Sequence, residues 1–119
     1  MRSEIGDVFT QEDFFRTCAA WGAARLSPSI KTPVHSTIPT LILAGQFDPA
    51  TPPEYGRIAA KTLPNSFFFE FPGVGHNVRP GSPCAHGIMM QFLKTPTRRP
   101  DAGCIAQMKP PAWVIPPAR

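Results

Sequence analysis

The sequence predicts an α/β fold with an incomplete sheet, and three features carry that reading. Thr40–Ala44 and Ser66–Phe71 are short runs that are apolar on both faces, apart from Glu70, as in strands covered on both sides of a parallel sheet. Between them lies a segment with helical spacing, so the order strand, helix, strand describes a βαβ unit with a right-handed crossover. Two strands do not make a stable sheet, and strands of this kind need neighbours as well as covering helices. The chain therefore reads as the end of a larger α/β domain, with no internal repeat.

Taken in order, Thr10 to Asp13 has the form of a capping box, and Phe14, Cys18 and Trp21 then recur at helical spacing. A short amphipathic helix is expected from Gln11 to Ala23. Leu26 to Pro39 is mostly Ser, Pro, Thr and Lys and reads as a surface linker. After the first strand, Gly45 to Ala50 forms a loop at its C-terminal end. Thr51, Pro52, Pro53 and Glu54 then make a second capping box, with proline at the first helical position. Tyr55, Ile58, Ala59 and Leu63 give that helix an apolar face, and Pro64 with Asn65 stops it. Beyond the second strand, Pro72 to Gly75 turns the chain. Ser82 and Pro83 open a last helix through Leu93, whose buried face is expected to be Ile88, Met89, Phe92 and Leu93.

These elements place residues 1–39 as helix and linker, 40–95 as the core segment and 96–119 as a Pro-rich tail. The tail holds Pro96, Pro100, Pro110, Pro111, Pro116 and Pro117 and is expected to wrap a surface rather than form a core. Apolar residues make up 42% of the 119, and the 9 glycines bring the chain into the globular range, which excludes disorder throughout. The net charge of +4 comes from scattered Lys and Arg, with only Arg98 and Arg99 adjacent and no aromatic residues interleaved, so nucleic-acid binding has little support. No run reaches the roughly 18 apolar residues of a membrane helix, and MRSEIGDVF is too polar for a signal peptide. The three cysteines allow two arrangements: a Cys84–Cys104 bridge that ties down the tail and leaves Cys18 over, or three reduced thiols.

In open α/β sheets, functional residues gather on loops beyond the C-terminal ends of the strands. Asp48 in GQFDPATPP and His76 in PGVGH both fall there, each after one of the two strands. An acid and a histidine so placed suggest two members of a catalytic triad, in which the histidine takes the nucleophile's proton and the acid orients it. Asp48 could instead cap the next helix, but Thr51 is better placed for that task, which leaves the acid without other partners. Gly73 and Gly75 permit a tight turn before His76. His35 in the linker and His86 inside a helix read as ordinary surface histidines. Pro52 and Pro53 lack the amide hydrogens that would hold a phosphate, and no HxxxH or CxxC spacing supports a metal. No cofactor is expected.

IPTLILAGQFDPATPPEYGRIAAKTLPNS followed by FPGVGHN resembles the C-terminal region of bacterial α/β-hydrolases of the tripeptidyl-aminopeptidase and proline-iminopeptidase-like group. CAAW before it, and SPCA and GCI after it, are similar to secreted members of that group. The resemblance runs from Cys18 to about Ile105. It implies the last two parallel strands of an α/β-hydrolase fold with flanking helices, Asp48 as triad acid, His76 as triad base and a Cys84–Cys104 disulfide. It further implies a secreted or periplasmic serine peptidase that releases short peptides from free N-termini. The departure is that no G-x-S-x-G occurs in the chain, and none of its six serines has that context. The expectation is a chain that is inactive alone and needs an N-terminal hydrolase portion carrying the serine, with a peptide as substrate. The alternative is a non-catalytic binding or assembly module derived from the same fold.

Overall fold

The computed structural model describes residues 11–22, 24 and 26–112, and the chain divides into two units, Met1–Thr32 and Pro33–Arg119. In the first unit, helix α1 spans Gln11–Ala20, shorter than the expected reach to Ala23. Trp21 is exposed just beyond it, so the third member of the apolar spacing is not buried. Thr10 and the side chains of Asp13 and Phe14 lie outside the described residues. Cys18 is half-buried and forms no disulfide. A 3₁₀ turn at Pro28–Lys31 follows, started by Ser27, whose hydroxyl accepts from the Ser29 amide.

The second unit is built on strands β1, Thr40–Gly45, and β2, Ser66–Phe71, which pair in parallel with Thr40 opposite Ser66 and Gly45 opposite Phe71. Among the described residues they are the whole sheet. Thr40 to Leu43 remain half-buried and only Ala44 and Gly45 are fully enclosed. A strand that is apolar on both faces thus has one neighbour where its composition calls for two.

The two sheet faces are covered differently. On one, Phe69 and Phe71 join Val74, Val78, Ala85 and Ile88 in the buried core, with Leu41, Leu43 and Phe67 packed against it. Helix α3, Val78–Gly81, and helix α4, Pro83–Lys94, supply most of that cover. The Ser82 hydroxyl accepts from the Ala85 amide at 3.2 Å and caps α4. Ile88 is fully buried, but Leu93 is exposed, because it falls on the outer side of the helix beyond the reach of the sheet.

The described part of the tail is mostly exposed and is pinned to the core at a few positions. Pro100 is buried, and Ala102, Ile105 and Met108 pack against the core, the last two around a 3₁₀ turn at Gly103–Gln107. Arg99 lies over the rings of Phe67 and Phe69, with its guanidinium carbon 4.8 Å from the Phe69 centroid. Cys84 and Cys104 form a disulfide. Closing a loop of this length restricts the unfolded chain and contributes about 3 kcal/mol. The spacing had left the reduced alternative open, and the resemblance pointed to the bridge.

On the other face lies helix α2, Pro53–Ala60. It approaches the sheet through Gly56, where a Cβ would sit 2.8 Å from the Phe68 ring and 3.0 Å from the Ile42 side chain. The expected apolar face points elsewhere: Tyr55, Ile58 and Ala59 are all exposed. Arg57 covers Phe68 and pairs with Glu70 and, at 3.5 Å, with Glu54. The helix stops at Ala60, and the turn beyond it tightens to i→i−3 bonds from Lys61, Thr62 and Leu63.

Candidate functional site

The loops that leave β1 and β2 are bonded to each other before either carries a functional side chain. The Gln46 amide donates to the Phe71 carbonyl at 3.1 Å and the Phe47 amide to the Val74 carbonyl at 2.9 Å. The Gln46 side-chain oxygen accepts from the Gly73 amide at 3.0 Å. Gly45 makes this approach possible, since a Cβ there would lie 2.2 Å from the Gly75 carbonyl oxygen and 2.5 Å from that of Val74. No side chain larger than hydrogen fits against two backbone carbonyls at that range. Gly73 turns the second loop at φ 72°.

The stitched loops bring Asp48 and His76 together, 28 residues apart in sequence. His76 Nδ1 lies 3.0 Å from Asp48 Oδ2 and 3.1 Å from Oδ1. The Asp48 side chain is 4% exposed and the His76 side chain 59% exposed. The acid is held inside and the imidazole leans outward, with no protein partner for its Nε2 among the described residues.

Asp48 is not free of other partners, which corrects the expectation that Thr51 and Glu54 cap α2 and leave the acid alone. The helix is entered at Pro52, with no side-chain cap. Instead Asp48 Oδ1 accepts from the amides of Ala50 at 2.9 Å and Thr51 at 3.0 Å, and Oδ2 accepts from the Thr51 hydroxyl at 2.6 Å. The physical reason is that the helix begins one residue later than a Thr51 cap requires, with Pro52 at the cap position, so the Thr51 hydroxyl lies outside the helix start and turns back to the carboxylate. The two prolines, which have no N–H, leave the Ala50 and Thr51 amides as the donors at this turn, and Asp48 uses both.

Burial acts on the Asp48 carboxyl to raise its pKa. It is outweighed by the hydrogen bonds from the Thr51 hydroxyl, the Thr51 and Ala50 amides and His76, which hold it well below its ordinary value of 3.8. At neutral pH the group is a carboxylate. A carboxylate fixed against Nδ1 orients the ring and favours the imidazolium once Nε2 takes a proton.

Sequence reading missed Thr51 and Gly45 as parts of the site. The signal for Thr51 was its place three residues after Asp48, a spacing at which a short acid side chain bonds the backbone ahead of it. Nothing local marked Gly45, because its constraint comes from residues 74 and 75. His35 and His86 are exposed and take no part in the pair. No three of His, Cys, Asp and Glu converge as a metal set among the described residues.

A family model described as TAP-like protein matches residues 4–104. No solved structure matches the chain.

Proposed function

The chain belongs to the TAP-like family of α/β-hydrolases, and from that premise we propose that it supplies the acid and the base of a serine peptidase. The observation that carries the proposal is the pairing of buried Asp48 with outward-leaning His76 at Nδ1, which leaves Nε2 to face a nucleophile. The nucleophile is a serine on an N-terminal hydrolase portion that is not among these residues, since the chain holds no G-x-S-x-G.

In the assembled enzyme, His76 Nε2 takes the serine hydroxyl proton as Oγ bonds to the peptide carbonyl carbon. The imidazolium, stabilised by Asp48, returns that proton to the departing amine as the peptide C–N bond breaks. Water, deprotonated by the same nitrogen, then releases the acyl group and restores the serine. The substrate class is a peptide with a free N-terminus, from which short peptides are released. The setting is extracytoplasmic, in keeping with the Cys84–Cys104 disulfide; no helix among the described residues is long and apolar enough to cross a membrane.

The test combines this chain with a family N-terminal portion that carries G-x-S-x-G and follows cleavage of a chromogenic tripeptide amide. Hydrolysis is expected only from the mixture, with a fluorophosphonate probe labelling the added serine and none in this chain. Asp48→Asn in the mixture is expected to lower kcat by about four orders of magnitude. An unchanged rate in that variant removes Asp48 from the reaction.

A further inference from the structure

The Thr51 hydroxyl stands between the two groups of the site. It donates to Asp48 Oδ2 at 2.6 Å, a short charge-assisted bond, and its oxygen lies 3.3 Å from His76 Nδ1. Because its single proton is committed to the carboxylate, Thr51 Oγ1 can offer Nδ1 only lone pairs. Both carboxylate oxygens offer the same. Nδ1 therefore faces three acceptors, Asp48 Oδ1, Asp48 Oδ2 and Thr51 Oγ1. A deprotonated Nδ1 would set its own lone pair against all three, so the neutral ring carries its proton on Nδ1 and leaves Nε2 as the base.

We propose that Thr51 is a positioning residue of this site: its hydroxyl holds Asp48 Oδ2 in place beside His76 Nδ1 and moderates the carboxylate charge that the imidazolium meets. The inference rests on the reading of Asp48 and His76 as acid and base. The second effect follows from charge sharing. A carboxylate oxygen that already accepts a strong bond has less negative charge to give to the imidazolium. Removing that donor, with the ring still in place, strengthens the hold of Asp48 on charged His76. Asp48 is the only ion-pair partner of His76 among the described residues. Arg79 follows three residues on, in α3, and keeps its charge in every variant compared.

The test is NMR on the full 119-residue chain, with the His76 signals assigned by their loss in His76→Gln. In the parent chain, the ring nitrogen shifts of neutral His76 are expected to report the Nδ1–H tautomer. A ring found mainly as Nε2–H overturns the reading of Asp48 and His76 on which the proposal rests, and this measurement needs no Thr51 variant to fold. In Thr51→Val, the His76 ring nitrogen signals are expected to shift and broaden as Asp48 Oδ2 loses its donor, while Thr51→Ser keeps the parent signals. Ring signals in Thr51→Val that stay at the parent values overturn the proposal, as do Thr51→Ser signals that move as far as those of Thr51→Val. None of these readouts involves turnover, so their failure is separable from failure of the mixture to hydrolyse peptides.

Discussion

Helices α2 and α4 each follow one of the two site loops, yet they are anchored by different means. Before α4, the functional and structural tasks belong to different residues: His76 points outward, and Ser82, six residues later, caps the helix. Fully buried Ala85 and Ile88 then fix α4 to the sheet, and Cys84 ties it to the tail. Before α2, one residue has both tasks. Asp48 holds His76 and also satisfies the amides of Ala50 and Thr51, and the cap position of the helix is held by Pro52, which has no side-chain acceptor. No residue of α2 is buried, and it meets the sheet through Gly56. The difference teaches that the acid's position is set by its own turn, whereas the histidine's is set by the core beneath it.

The largest effect on that core is expected from Ile88→Ala. Truncating a fully buried branched side chain removes its burial and leaves a cavity, at a cost of about 2–5 kcal/mol in unfolding free energy, measured by urea denaturation. If α4 is the anchor of the His76 loop, the Nδ1–H signal of His76 broadens in the same variant. A loss below about 1 kcal/mol would make α4 no firmer than α2 and remove the contrast.

Much of this arrangement was legible in the chain. The strands were readable to within a residue because a short run that is apolar on both faces, with turn residues at each end, is the pattern of a strand covered on both sides. Ser82 with Pro83 marked the start of α4. That Asp48 and His76 would meet was readable from their places after those strands. What escaped was set by contacts distant in sequence. The exposed side of α2 follows from the close seat of Gly56 against Phe68 and Ile42, and helical spacing locates an apolar face without saying what it meets. Thr51 carried a correct local signal for two competing roles, capping and bonding to Asp48. The later start of the helix, with Pro52 at the cap position, decided between them.

A smaller pair of effects separates the two loops by pH. Ser82→Ala removes a helix cap and is expected to lower stability by about 1 kcal/mol at any pH, since no titrating group is lost. Asp48→Asn behaves otherwise. The folded carboxyl is held well below 3.8, so its contribution is fully present above about pH 4 and is lost as acid protonates it. The deficit of Asp48→Asn relative to the parent is therefore expected to be largest near neutral pH and to narrow on acidification, while that of Ser82→Ala stays level. Chemical denaturation at a series of pH values reads both. A deficit for Asp48→Asn that does not change with pH would mean that the carboxylate charge does not hold the first loop.

The smallest effect is expected from Ile58→Ser on α2. Ile58 is 49% exposed, and Tyr55 beside it is 60% exposed, so the substitution removes little buried area from the chain. The change in unfolding free energy is expected to stay within about 0.5 kcal/mol, the range for exposed positions. The same hydrophobic side chain at position 88 is worth several times more, and helix propensity differs little between the two residues exchanged at position 58. The ratio of the Ile88 and Ile58 effects is thus a direct reading of how unequally the two sheet faces are covered. A loss above about 1 kcal/mol at Ile58 would place that side chain inside a core, and α2 would then be held by packing rather than by its prolines, Gly56 and the Asp48 turn.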